Sequence, residues 1–135
     1  MTLVLDASIA VAAARPLEPG HRAAQRLIED VLAQPGLLIA PTIFAVETAG
    51  ALARVGRSAP EVLAYVGALI DAAEEIVELD RHTSIAIAEL AARERLRGAD
   101  AVYVWTADRH AAPLFTLDRE MYRRGRAVCE VVVPS

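Results

Sequence analysis

The segment Leu3-Val-Leu-Asp-Ala-Ser8 decides how the rest of the chain is interpreted. A short apolar run ends in an acid, and the small, helix-favouring residues 7–14 follow it directly. A short apolar strand that leads straight into a helix is typical of α/β folds with a parallel sheet. The acid, Asp6, would then lie at the carboxyl end of a strand, where such sheets bind their ligands.

The same alternation continues along the sequence, and each predicted strand is a short continuous apolar run. Strands are predicted over residues 2–5, 37–40, 75–79, 113–117 and 127–133. Helices are predicted over residues 7–14, 21–34, 41–55, 58–73, 83–96, 100–109 and 118–124. The pattern predicts one domain over residues 1–135, an α/β fold in which helices cover both faces of a mainly parallel sheet.

Four of the predicted helix boundaries rest on single residues. Pro41 fits the first position of a helix, and Gly56 fits the stop of that helix. Gly98 is predicted to end a later helix, and Asp100 is predicted to open the next one.

Composition excludes several classes of protein. The chain has 14 basic residues, all arginine, so mechanisms that need a lysine, such as the Walker A phosphate loop and the phospho-aspartate receiver domain, are excluded. A single cysteine, Cys129, excludes an internal disulfide and fits a reducing compartment. The longest uncharged run, Val31–Val46, is too short and too broken to cross a membrane, so we expect a cytoplasmic protein without membrane contact. A mean hydropathy of +0.34 indicates apolar surface covered by a partner or a second copy.

Three aspartates lie where strands or glycine turns give way to helices. Asp6, Asp100 and Asp118 each precede a predicted helix, so each alone could be an ordinary helix N-cap. If the three gather at the strand ends, however, their charges repel, and the cluster needs cations or protonation to persist.

Glu47 is harder to explain as a structural residue, because it lies in the middle of a predicted helix. Its neighbours one helical turn away are apolar or small: Ile43, Phe44, Gly50 and Ala51. A carboxylate on such a surface needs a tertiary partner or a metal, unless the side chain points sideways into solvent. With the three aspartates it makes a set of hard oxygen donors without histidine or thiolate, which selects Mg²⁺ or Mn²⁺.

Four pieces of the sequence together resemble the PIN-domain ribonucleases, and especially the VapC-like toxins of type II toxin–antitoxin pairs. The pieces are Leu3-Val-Leu-Asp-Ala-Ser8, Pro41-Thr-Ile-Phe-Ala-Val-Glu47, Leu96-Arg-Gly-Ala-Asp-Ala-Val-Tyr103 and Thr116-Leu-Asp-Arg-Glu-Met121. Each piece alone is a weak signal, but their order and spacing cover nearly the whole chain. The resemblance implies a three-layer α/β/α sandwich, a homodimer, and a small antitoxin protein as partner.

The resemblance also implies an activity and a set of site residues. It implies an Mg²⁺- or Mn²⁺-dependent endoribonuclease that hydrolyses RNA to 5′-phosphate and 3′-hydroxyl ends. The residues that would bind the metal and carry catalysis are Asp6, Glu47, Asp100 and Asp118.

Five further residues surround these acids in the sequence. Ser8 and Thr116 are expected to support the acidic site by hydrogen bonding, although each could be purely structural. Glu120 is a candidate additional ligand. Arg97 and Arg119 are candidate contacts to RNA phosphates, unless they are solvated or form ion pairs. Two alternatives stay open, namely a housekeeping RNA-processing nuclease and a degenerate module that binds RNA or protein without cleaving it.

Overall fold

The computed structural model describes residues 1–135 and contains five strands and seven helices. The strands are β1 (Val4–Leu5), β2 (Ile39–Pro41), β3 (Glu75–Val77), β4 (Leu114–Phe115) and β5 (Val131–Val132). The helices are α1 (Ala7–Ala13), α2 (His21–Ala33), α3 (Ile43–Arg54), α4 (Ala59–Ala72), α5 (Arg81–Glu94), α6 (Gly98–Arg109) and α7 (Arg119–Gly125). The predicted alternation of strands and helices is confirmed, and the strands are shorter than predicted.

The strands run parallel in the order β3-β2-β1-β4-β5. β2 pairs with β3, β1 pairs with β4, and β4 pairs with β5. A parallel bridge between Leu3 and Leu38 connects the two parts of the sheet. The Leu3 N–H donates to the Leu37 carbonyl at 2.8 Å, and the Ile39 N–H donates to the Leu3 carbonyl at 2.9 Å. The chain therefore builds outward from β1 to β3 and then resumes on the other side of β1.

Helices cover both faces of the sheet, which gives the predicted α/β/α sandwich. Contacts link α1 to α2 and α3, and link α4 to α2 and α3, whereas α6 contacts α5 and α7. α6 also contacts β1, β2 and β4, and most of its length from Asp100 to Ala107 is buried. A helix that is buried on most sides is a core element rather than a surface element.

The prediction that Pro41 begins a helix is wrong. Pro41 is the last residue of β2 and pairs with Val77 of β3, and α3 begins at Ile43. The strand tolerates proline here because the next residue supplies the donor: the Thr42 N–H donates to the Val77 carbonyl at 3.0 Å. The stop at Gly56 is confirmed, since this residue follows α3 with a φ of 94°.

The predicted boundary between α5 and α6 is also wrong. α5 ends at Glu94, followed by Arg95 in the left-handed conformation at φ 57°. Gly98 opens α6 instead of ending α5, and the N-cap of α6 is Arg97. Asp100 therefore lies inside the first turn of α6 and is not its N-cap.

The order of the strands fixes where a ligand site can form. The strand order reverses between β1 and β4, and the crevice outside the carboxyl ends of strands at such a switch point is the usual ligand site of α/β sheets. Asp6 follows β1 directly, and Thr116 follows β4 directly. None of the seven helices is both long and apolar enough to cross a lipid bilayer.

Candidate active site

All four predicted carboxylates line one cavity of about 280 Å³ at the switch point. Asp6 comes from the end of β1, Glu47 from the middle of α3, Asp100 from the first turn of α6, and Asp118 from the connection between β4 and α7. Four segments that are distant in sequence thus bring acids to the same place.

Asp6 is held by hydroxyl groups on both sides. Its Oδ1 accepts from the Ser8 backbone N–H at 3.1 Å and from the Ser8 hydroxyl at 2.5 Å, and its Oδ2 accepts from the Thr116 hydroxyl at 2.6 Å. The two hydroxyls in turn accept from the backbone N–H groups of Leu117 and Asp118, both at 2.9 Å. Ser8 and Thr116 therefore tie the end of β1 to the end of β4. A carboxylate has about four lone-pair positions, so one position on Oδ2 remains for a cation.

Burial makes the charge of Asp6 costly. The residue is 4% exposed, and burial raises its pKa from the ordinary 3.8 to about 6, although the hydrogen bonds from Ser8 and Thr116 act in the opposite direction. The nearby charge of Asp118 contributes to the raised pKa. A carboxylate in this position is stabilised in its charged form by an added cation.

Glu47 has a tertiary partner that sequence reasoning missed. The Tyr103 hydroxyl donates to Glu47 Oε1 at 2.7 Å, and no protein group donates to Oε2. Tyr103 is 1% exposed, so its hydroxyl is fixed in place by the core. Burial, followed by the hydrogen bond to Glu47, raises the pKa of Tyr103 far above its usual range, so it stays a neutral donor. The contact orients Glu47 without neutralising it.

Arg97 is the one cation inside the cavity. Its Nε donates to Asp100 Oδ2 at 2.8 Å, and its Nη2 donates to Asp118 Oδ2 at 2.5 Å. Asp118 Oδ1 accepts from the N–H groups of Glu120 and Met121 at 2.8 and 3.3 Å, which confirms that Asp118 is the N-cap of α7. Asp118 is therefore both the N-cap of α7 and a residue of the cavity.

The two carboxylates that Arg97 joins differ in their electrostatics. Burial raises the pKa of Asp100, and the hydrogen bond from Arg97 only partly offsets this effect. Partial burial also acts to raise the pKa of Asp118, but Arg97 and the two backbone N–H donors outweigh it, so that pKa lies below its usual range. With Asp6 and Glu47 included, four acids face a single guanidinium.

The side chains of two predicted residues neither line the cavity nor contact its acids. Glu120 forms ion pairs with Arg123 at 3.2 Å and with Arg124 at 2.8 Å, and it does not line the cavity. Arg119 is exposed and has no carboxylate within 4.0 Å.

A second groove, of about 490 Å³, adjoins the acidic cavity and shares Ser8, Glu47 and Asp118 with it. Its wall includes Arg54, which forms no ion pair and no hydrogen bond through its side chain. Sequence reasoning missed Arg54, although its spacing of seven residues from Glu47 places both on one face of α3.

The donor set of the cavity fits a hard divalent cation. All four acids offer oxygen ligands, and neither histidine nor cysteine lines the cavity. In the present arrangement no three acid, histidine or cysteine side chains lie close enough together to hold an ion. The residues are therefore suited to a cation, but side chains have to move before a cation can bind. Arg97 is the first candidate to move.

Several solved structures share this fold at low sequence identity. PAE2754 from Pyrobaculum aerophilum is similar with a TM-score of 0.69 and 19% identity, over 96% of this chain and 83% of that one. VapBC2 from Rickettsia felis, bound to a DNA fragment from its promoter, is similar with a TM-score of 0.70 and 14% identity, over 100% of both chains. FitAB bound to the IR36 DNA fragment is similar with a TM-score of 0.69 and 17% identity, over 97% of this chain and 94% of that one.

Comparison with curated protein sequences finds no match. The family model of the PIN domain, however, matches residues 3–127, which span all four acids and nearly the whole chain. This protein therefore belongs to the PIN-domain family.

Proposed function

We propose that this PIN-domain protein is a metal-dependent endoribonuclease and the toxin of a toxin–antitoxin pair. The observation that carries the proposal is the convergence of Asp6, Glu47, Asp100 and Asp118 on one cavity at the switch point of the sheet. No cysteine or histidine lines this cavity, and the Ser8 hydroxyl already donates to Asp6. These features favour a reaction in which water, rather than a side chain, attacks the phosphodiester.

The residues of the cavity have two roles in this proposal: some bind the metal, and others hold the metal ligands in position. The four carboxylates would hold Mg²⁺ or Mn²⁺, which when bound would supply a more acidic water and stabilise charge on the phosphate oxygens. Ser8 and Thr116 keep Asp6 in position, and Tyr103 does the same for Glu47. We expect hydrolysis to leave a 5′-phosphate and a 3′-hydroxyl.

The groove beside the cavity supports a single RNA strand as substrate. Exposed nucleotides can be drawn into a pocket, whereas a duplex buries its bases. Arg54 is available to pair with a phosphate, because no carboxylate of the protein neutralises it. Arg97 and Arg119 remain candidates for further phosphate contacts.

An antitoxin partner is supported by two of the solved structures that share this fold. VapBC2 and FitAB are both described in complexes with DNA, and both share this fold over nearly the whole chain. We infer that a short DNA-binding protein, encoded next to this one, binds and inhibits it. Purification of the tagged chain after co-expression with that neighbour should give a stable complex.

The decisive test of the proposed activity is cleavage of a labelled single-stranded RNA in Mg²⁺ and in EDTA. Cleavage should occur in Mg²⁺, stop in EDTA, and leave 3′ ends that a ligase accepts. Asp100→Asn, purified in the same way, should be inactive and so exclude a contaminating ribonuclease. Equal cleavage in EDTA, or by Asp100→Asn, would contradict the proposal. RNA binding without cleavage in Mg²⁺ would instead favour the non-catalytic binding module.

A further inference from the structure

Arg97 occupies carboxylate oxygens that a metal would need. It lies at the N-cap of α6 and reaches across to the connection before α7, so that one guanidinium joins Asp100 and Asp118. Both contacts are short, at 2.8 and 2.5 Å. No other basic side chain lines the cavity.

These contacts engage both carboxylate oxygens of Asp118. Its Oδ1 accepts two backbone N–H groups, and its Oδ2 accepts from Arg97. Asp100 also uses its Oδ2 for Arg97. In this arrangement no three acids are placed to hold an ion together.

The guanidinium is nevertheless free to leave. The Arg97 side chain is 61% exposed, whereas the side chains of Asp100 and Asp118 are 11% and 32% exposed. A long, flexible and solvated arginine can move its head group into water at little cost. The two acids, in contrast, are fixed by the first turn of α6 and by the N-cap of α7.

We propose that Arg97 is the built-in counter-cation of the acidic cavity, which holds Asp100 and Asp118 while no divalent metal is bound and is displaced when the metal binds. This inference rests on the proposed metal site. Because the two cations compete for the same oxygens, each lowers the affinity of the site for the other. Arg97 thereby sets the metal concentration at which the nuclease becomes active.

A purely structural role for Arg97 makes different predictions. If Arg97 is a fixed link between α6 and α7, its removal destabilises the protein equally with and without metal. It then leaves the affinity for metal unchanged or lowers it. If Arg97 competes with metal, its removal destabilises only the metal-free protein and raises the affinity.

The test is isothermal titration calorimetry of Mn²⁺ into wild type, Arg97→Gln and Arg119→Gln, with melting temperatures in EDTA and in saturating Mn²⁺. Arg119→Gln is the matched control, because it removes the same charge next to Asp118 but breaks no ion pair. Arg97→Gln should bind Mn²⁺ about three- to tenfold more tightly, the size expected for exposed ion pairs. Arg119→Gln should differ from wild type by less than about twofold.

The melting temperatures give the second measurement. In EDTA, Arg97→Gln should melt below wild type, because the acids then repel one another without a counter-cation. Saturating Mn²⁺ should close that gap. Unchanged or weaker binding by Arg97→Gln, beside a wild type that binds Mn²⁺, would overturn the inference alone. Absence of Mn²⁺ binding by all three proteins would overturn the proposed metal site and this inference with it.

Discussion

Asp6 combines deep burial with three hydrogen bonds, and its charge is the most costly in the cavity. Because its folded pKa of about 6 lies above the ordinary 3.8, the folded state binds the proton more tightly than the unfolded state. Without metal, ionisation of Asp6 therefore makes the protein less stable as the pH rises from about 4 through about 6.

Asp6→Asn removes this ionisation. In EDTA, the stability of the variant relative to wild type should increase between pH 5 and pH 7.5 by about 1 to 2 kcal/mol. Urea denaturation at the two pH values measures the difference, and any constant cost of altered hydrogen bonding cancels. A relative stability that stays flat or falls with pH would show that folding does not raise the pKa of Asp6.

Tyr103 is expected to act through Glu47. Tyr103→Phe removes the donor to Oε1, so Glu47 loses its orientation and the affinity for Mn²⁺ should fall by about two- to tenfold, with about 1 kcal/mol of stability lost. The matched control is Tyr65→Phe, which removes another partly buried hydroxyl that donates to the Ala10 carbonyl at 2.7 Å. It should lower stability by a similar amount and leave the Mn²⁺ affinity unchanged. Equal Mn²⁺ affinities for Tyr103→Phe and Tyr65→Phe would show that Tyr103 does not act through Glu47.

Helix α3 combines two functions on one face, since Glu47 lies in the acidic cavity and Arg54 in the adjoining groove. Arg54→Gln should weaken binding of single-stranded RNA and reduce the slope of log affinity against log salt by about 1, because one phosphate contact is lost. Arg109→Gln, at the far end of α6, is the control and should bind like wild type. Binding by Arg54→Gln with an unchanged salt slope would place the RNA strand elsewhere.

The sequence predicted which strands and helices are present, and their order, better than it predicted where each begins and ends. The alternation of apolar runs and helical patterns predicted five strands and seven helices, because burial imposes these periodicities. Pro41 and Gly98 misled the prediction, since both residues fit two roles. Whether proline ends a strand or begins a helix depends on which neighbour supplies the missing N–H, and that neighbour is set by tertiary pairing.

In the candidate site, residues that lie in local motifs were predicted, and contacts that depend on tertiary packing were not. The four acids and the two supporting hydroxyls were predicted because they lie in recognisable local motifs, and all six line or support one cavity. The contact between Tyr103 and Glu47 could not be predicted, because the residues are 56 positions apart and no local pattern links them. Arg97 was predicted to meet RNA, yet its ion pairs with Asp100 and Asp118 depend on the packing of α6 against α7.

For the whole molecule, exposed apolar side chains point to self-association. Val46 and Leu79 are 73% and 37% exposed and line one apolar groove together with Ile43 and Ala88, and a continuous apolar surface of this kind marks an interface. We predict a homodimer at micromolar concentration. Sedimentation equilibrium should report twice the 14.4 kDa mass of one chain, and a single species at 14.4 kDa would contradict the dimer.

The four acids are proposed to form one metal site, and Glu47 gives the sharpest test of that site because no cap or ion pair explains this residue. The measurement is the affinity for Mn²⁺ of wild type, Glu47→Gln and the exposed control Glu89→Gln, by isothermal titration calorimetry. Wild type and Glu89→Gln should bind alike, and Glu47→Gln should bind at least about tenfold more weakly, as expected when a charged ligand is lost. Equal affinities for Glu47→Gln and wild type would instead show that Glu47 is not a metal ligand.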